Sequence, residues 1–420
     1  MASNIYKTTR PLTIFLLLSI TNTTVIANTS LEAAYSQSTS NKKSYAKTAQ
    51  GCKVYHPPLS FGNRVTWSGN CSSGYAQGEG IAKWYNGNEH TSSYQGNYVE
   101  GKLNGKGRID WEIITNCDFD YYEGELKDSD VMGRGIFHYT DGNIYDGVFT
   151  PKGKPTKAVF TWGAGNESYS DRYEGEFLNG KKQGKGVYSW GEYSQWAGDV
   201  YEGEYKNNKQ HGYGVYTEGN GTRYEGQWKN NQRSGYGEIV QSDGTIYKGE
   251  WKNDLRDGNG EITWSDDRRY EGQHLEGQLH GQGKLYSDNE LLYEGQFAYG
   301  QLSGQGKITY SDGGWAEGNF SQDKLSGEGI NVRANGIRYA GSFQDGKAWG
   351  FGHLTAPRAA FDNDKRAKNG VWQGDTFVEK GWFYDNKFKF PCDSTEHCKR
   401  IAAKDATKQA YLANSDDYSE

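Results

Sequence analysis

From Trp67 onward the chain is organised by a short alternation of aromatic, polar and glycine positions that returns a dozen times. An aromatic followed two residues later by glycine opens successive units at Trp67, Tyr94, Tyr122, Tyr145, Tyr173, Tyr201, Tyr224, Tyr247, Tyr270, Tyr293 and Tyr339, with Ala316 filling the slot once. The steps are 27, 28, 23, 28 and 28 residues, then 23 six times from Tyr201 to Tyr339. Counting the opening residue as zero, glycine stands at plus two, eleven and thirteen, as in Gly249, Gly258 and Gly260. The unit opening at Tyr145 is degraded, with Thr156 and Ala158 in place of the glycine pair.

Plus four is almost always large and apolar: Cys71, Tyr98, Leu126, Phe149, Phe177, Tyr205, Trp228, Trp251, His274, Phe297, Phe320 and Phe343. Plus one and plus three are mainly Glu, Gln or Lys. Period-two alternation with aromatics on one side predicts a half-buried strand. After a polar turn such as the five residues Asn253 to Asp257, plus eleven to plus seventeen again alternate, giving Gly258, Gly260, Ile262 and Trp264 on one face. Each unit therefore reads as two short antiparallel strands. Glycine in a strand packs nothing, so its recurrence in register with the rings predicts a groove across which an aromatic of an adjacent strand lies flat. The fold expected is all-β, an elongated single-layer antiparallel solenoid of about twelve two-stranded units. At about 4.8 Å per strand it would extend roughly 115 Å, and its ends need caps.

The expected organisation is a signal peptide over residues 1–27, a flexible linker over 28–50, an N-terminal cap over 51–66, the repeat array over 67–362 and a C-terminal cap and tail over 363–420. The leader carries Lys7 and Arg10, the short apolar run Leu12 to Ile20, and Val25 and Ala27 at minus three and minus one of a cleavage point. That layout predicts export, to a periplasm or the medium. Within the tail, Lys399 to Ala413 contains no Gly or Pro and reads as one helix, a thirteenth half-unit is expected at Trp372 to Gly374, and the last seven residues read as a solvated acidic end.

Composition sharpens this picture. Gly reaches 58, Tyr 32 and Trp 13 of 420 residues, against an overall hydrophobic content of 34% and a mean hydropathy of -0.93. That is too little aliphatic content for thick cores and too much aromatic content for disorder. The formal charge of -6 becomes -8 once the two cations of the leader are removed, because residues 1–27 hold no acid. Such a balance argues against nucleic acid as a partner. In an oxidising compartment the five cysteines are read first as disulfides, Cys52 with Cys71 and Cys392 with Cys398, leaving Cys117 over. The alternative of a metal held by Cys392, His397 and Cys398 has only three ligands.

The aromatic-x-glycine opening, a polar turn and Gly-x-Gly, repeated every 23 residues from about Trp67 to Thr355, resembles the MORN (membrane occupation and recognition nexus) repeat. The opening stretch from Gly51 to Gly80 is similar to the first repeat of exported bacterial MORN proteins. The resemblance implies a twisted single-layer sheet with a U-shaped cross-section whose groove binds partner segments, and in some members an association with lipid. MORN arrays also occur fused to lipid-kinase and methyltransferase domains, and no stretch here resembles either.

Candidate chemistry is sparse. The Gly-x-Gly pairs lack the setting of a dinucleotide loop. His211 and His280 hold turn addresses and His274 a ring address, with no accompanying nucleophile. The plus-one and plus-three carboxylates form a row about 10 Å apart from unit to unit, too sparse for calcium, and Lys206, Lys229 and Lys252 at plus five are expected to pair with them. Lys181, Lys182, Lys209, Arg233, Arg256, Arg268 and Arg269 gather at turns where lipid headgroups would meet them, although the net charge opposes an anionic membrane. The strongest candidate is a concave aromatic groove lined by half-exposed rings, Tyr205, Trp228, Trp251, His274 and Phe297 with the opening tyrosines Tyr224, Tyr247 and Tyr270. The function expected is a non-catalytic scaffold holding a protein or peptide segment, without cofactor; the second reading is attachment to membrane lipid or cell-wall glycan.

Overall fold

The computed structural model describes residues 45–57, 62–112, 118–151, 154–164, 168–361 and 371–413. The expected signal peptide, most of the expected linker, Cys117 and the expected acidic end lie outside the described residues. The chain divides between Gly235 and Tyr236 into two units.

In the first unit each strand pairs antiparallel with the next, from Tyr75–Asn86 through to Arg223–Lys229. The second unit repeats this from Ile246–Lys252 to Lys347–Pro357, and Thr376–Tyr384 and Lys387–Pro391 add two more strands. The architecture is the all-β antiparallel repeat that the alternation predicts.

The turns are tighter than the sequence suggests. Asn253 and Asp254 both take left-handed backbone, at φ 50° and 67°, and Lys252 pairs directly with Leu255. Two consecutive left-handed residues make a type I′ turn, whose twist matches the flanking strands and which favours Asn and Asp. Leu255 and Arg256, assigned to the turn by their polar neighbourhood, therefore already belong to the strand Leu255–Thr263. The second turn residue also clamps the preceding hairpin. Asn208 donates its backbone N–H to the Lys182 carbonyl at 3.0 Å and accepts the Lys182 N–H on Oδ1 at 2.7 Å. Asn231 does the same to Gln210, and Asp323 to Leu302.

The glycines have distinct tasks. Gly258 sits at φ 106° in a bulge, and the Asn259 N–H beside it donates to Glu250 Oε1 at 3.1 Å. Glu204 and Gln273 cap the equivalent bulges, so the plus-three residue is a backbone cap as well as part of an outer row. Gly249, Gly260 and Gly272 face one another across three strands. The opening tyrosine crosses this glycine row, and its hydroxyl donates to the carbonyl of plus three, as from Tyr247 to Glu250 at 2.8 Å. The row thus provides the room for rings that its periodicity predicted. On the outer face, Arg172 pairs with Glu174 at 2.6 Å and Lys284 with Glu294 at 3.0 Å. Lys206, Lys229 and Lys252 make no ion pair among the described residues, contrary to expectation; the plus-one acids are taken by cations directly beside or opposite them.

The ends are closed by local devices. Tyr45–Lys47, within the stretch read as linker, pairs with Lys53–Tyr55, and a Cys52–Cys71 disulfide joins that edge to the strand Asn70–Ser72. At the other end Gly381, not the expected half-unit at Trp372, continues the glycine row opposite Gly352. The expected single helix is two, α1 (Thr395–Ala402) and α2 (Ala406–Ala413). Asp405 breaks them because its carboxylate accepts the Thr407 N–H at 2.9 Å and so caps α2. A Cys392–Cys398 disulfide holds α1 against Trp382 and Phe390, so neither cysteine is free to bind a metal.

Candidate functional site

The ring face is filled by its own side chains. Tyr205, Trp228, Trp251, His274 and Phe297 retain only 2–5% exposure, and Tyr224, Tyr247 and Tyr270 0–2%. They are buried rather than half-exposed, because each plus-four ring stands edge-on between two opening tyrosines. Trp228 contacts Tyr201 and Tyr224 at 5.3 and 5.2 Å, with interplanar angles near perpendicular. His274 stands likewise between Tyr247 and Tyr270, at 5.1 and 5.3 Å. Edge-to-face packing satisfies the ring quadrupoles, and the indoles of Trp228 and Trp251 donate to the carbonyls of Gly214 and Gly237. His274 has no such well-formed bond: neither ring nitrogen meets full hydrogen-bond geometry, and only weak contacts with the Gly272 and Gly258 backbones favour its charged form. Burial, reinforced by Arg256, pushes its pKa down to about 3.

What varies from repeat to repeat is the residue across the hairpin from plus four. It is Leu103, Val131 and Pro155 in the early repeats and Leu279, Leu302, Leu325 and Ala348 in the late ones, and those aliphatic side chains are buried. Between them the slot holds Lys182, Gln210 and Arg256, and Arg233 occupies the same address in its repeat. Each cation lies over its own opening tyrosine: Lys182 over Tyr173 at 5.4 Å, Arg233 over Tyr224 at 5.6 Å and Arg256 over Tyr247 at 5.5 Å. Three of the basic residues expected to meet solvent at turns are therefore turned onto the ring face. Lys181 and Lys209 do point outward.

Lys182 is the most enclosed of these cations. Its ammonium lies 4.3 Å from the Tyr188 ring centroid, 5.4 Å from Tyr173 and Tyr205, and 5.7 Å from Trp162. Asp171, 2% exposed, accepts the Tyr188 hydroxyl at 2.6 Å and the Gly191 N–H at 2.9 Å. Burial pushes the amine down to about 7, opposed by the Asp171 charge, and raises the Asp171 carboxyl despite those two hydrogen bonds. Trp162 and Asp171 bound one expanded inter-repeat connection and Tyr188 lies just before the next, so two of the three 28-residue steps flank this lysine. Sequence reasoning missed it because Lys182 was assigned to a turn; the signal was a lysine at an address that is aliphatic in other repeats.

Ten segments match the MORN repeat, at residues 94–112, 122–144, 173–195, 201–223, 224–246, 247–267, 270–290, 293–315, 317–338 and 339–358. The chain belongs to the MORN-repeat family. MORN repeats are binding and scaffolding modules rather than a catalytic fold. Outside the repeat match, similarity is partial: rat alsin is 31% and human alsin 29% identical over 85 residues, which is 20% of this chain and 5% of those proteins. Among solved structures, the TCP10 domain of Danio rerio CPAP aligns at a TM-score of 0.27 and 11% identity, covering 50% of this chain and 94% of that domain. The TCP domain of Drosophila melanogaster SAS-4, solved with a proline-rich motif of Ana2, aligns at 0.23 and 15% identity over 38% of this chain and 83% of that one.

Proposed function

We propose that this MORN array is a non-catalytic scaffold of an exported compartment that holds a protein or peptide segment against its ring face. The observation that carries the reading is the replacement of buried aliphatic residues by Lys182 in the first unit and Arg256 in the second. A cation in an aliphatic slot costs stability through desolvation. Its occurrence in three of the four repeats that open at Tyr173, Tyr201, Tyr224 and Tyr247 fits a surface selected for something other than its own packing. Lys182 in the first unit and Arg256 in the second are each half-buried, so each gives the ring face of its own unit a polar group that an extended segment meets first, above rings that are already packed on one another.

The experiment replaces these residues by what other repeats carry. The double variant Lys182→Leu, Arg256→Leu is expected to fold, since Leu occupies that slot three times in the second unit. Displayed-peptide selection on the wild-type mature chain should return sequences whose binding the double variant loses at least tenfold, an affinity change of about 1.4 kcal/mol. Salt-sensitive sedimentation with vesicles, or retention on cell-wall glycan, by wild type and double variant alike would favour the attachment reading. N-terminal sequencing of the exported chain should begin at Asn28.

A further inference from the structure

We infer that Lys182 is a covalent acceptor for small carbonyl compounds, its amine condensing with an aldehyde or ketone held among the rings of Trp162, Tyr173, Tyr188 and Tyr205. Two departures from the repeat pattern meet at this residue. The slot is aliphatic in seven other repeats. The two inter-repeat connections beside it are each five residues longer than in a 23-residue step. Asp171, which closes the first of these connections, is fixed to the phenol of the nearest ring as Asp199 is to Tyr216 in the next repeat, but only Asp171 has a lysine beside it, the slot there being Gln210.

The chemistry follows from that surrounding. A lysine partly withdrawn from water among aromatic rings has a larger neutral fraction, and the neutral amine is the nucleophile that Schiff-base lysines use; the depressed pKa agrees. The titratable groups that face it are Asp171, Tyr173, Tyr188 and Tyr205. Burial raises the pKa of all three phenols, so they remain neutral near pH 7. In the condensation the nitrogen lone pair adds to the carbonyl carbon, the resulting carbinolamine loses water, and a C=N bond replaces C=O. The two amine hydrogens and the carbonyl oxygen leave as that water, with no change in oxidation state. The departing hydroxyl needs a proton in transit, and the Tyr188–Asp171 hydrogen bond is the buried proton carrier beside the amine. The four rings favour a planar, apolar carbonyl compound, an aromatic aldehyde above all.

The test uses the full chain and benzaldehyde as the probe. The folded protein is incubated at pH 7, imines are reduced with cyanoborohydride, and benzylated lysines are mapped by peptide mass. Lys181, adjacent and exposed, is the internal control. Lys182 should be benzylated at least about tenfold faster than Lys181, and the advantage should vanish when the labelling is repeated in urea. Labelling of Lys182 no faster than Lys181 in the folded chain would overturn the assignment and leave the cage as a cation–π contact. An advantage that survives unfolding would also overturn it, because local sequence would then be the cause.

Discussion

Tyr247 lies flat across Gly260, so closely that a Cβ on the glycine would stand 2.5 Å from the tyrosine Cε2 and 2.6 Å from its hydroxyl oxygen. The glycine backbone is not left-handed there, so the requirement is steric rather than conformational. Gly260→Ala should destabilise the second unit by about 1–3 kcal/mol, the usual cost of overpacking. Urea unfolding of Gly260→Ala, Tyr247→Leu and the double variant checks this: the double variant should be less destabilised than the sum, because the smaller side chain frees the space the methyl needs.

Lys182 gives a pH dependence of defined sign. Its amine is near 7 in the fold and about 10.4 unfolded, so between those values the unfolded chain binds more protons. Wild-type stability should therefore climb as pH rises from 7 toward 10, while the full cost of burying the ammonium is present below pH 7. Lys182→Leu removes the climb, and its advantage over wild type should be largest at pH 6, on the order of 2 kcal/mol after the cation–π attraction is set against desolvation. Urea midpoints of both chains at pH 6 and 10 test it; a wild-type stability unchanged by pH relative to the variant would mean the amine stays charged.

His274 occupies a slot that is Phe in the next three repeats, Phe297, Phe320 and Phe343. Its ring is buried without a well-formed hydrogen bond and is neutral until pH falls to about 3, the weak contacts with the Gly272 and Gly258 backbones only partly opposing burial, whereas an unfolded histidine titrates near 6.5. Stability attached to this residue is present above 6.5 and is lost as pH falls from there toward 3. His274→Phe should raise the melting temperature at pH 8, consistent with about 1–2 kcal/mol for a buried unpaired polar group, and raise it further at pH 5.

The clamp of Asn208 on Lys182 combines a left-handed backbone, φ 71°, with a side-chain bond of 2.7 Å. Asn208→Gly keeps the backbone and loses the bond, while Asn208→Ala loses both advantages. The expected order of stability is wild type, then Gly, then Ala, with the glycine variant down by about 1 kcal/mol and the alanine variant by about 2. Chemical denaturation of the three chains gives the order directly.

The repeat was open to sequence reading because two signals coincide there. Parity puts Tyr247 and Trp251 on one face, and the glycines at fixed addresses cannot be explained by composition. The slot of Lys182 and Arg256 was obscured because a two-residue turn lies among five polar residues, and only backbone dihedrals show that the strand resumes at Leu255. The fate of the aromatic row was hidden for another reason: whether Trp228 is exposed depends on Tyr201 and Tyr224 in neighbouring strands, a relation between repeats that alternation within one repeat does not contain. The break between α1 and α2 was available in principle, since Asp405 followed by Ala and Thr is a helix-start signal, but the absence of Gly and Pro outweighed it.

The ring of Tyr247 reaches no farther along the chain than Gly260 in its own hairpin and His274 in the next. The same short reach recurs at Tyr201 with Gly214 and Trp228, and at Tyr293 with Gly306 and Phe320. Few sheet proteins are stitched together from contacts so near in sequence. A chain of this kind closes only small loops as it folds, so each hairpin can add to the one before it while the rest is still being made, at a rate closer to that of helical proteins than of β-sandwiches.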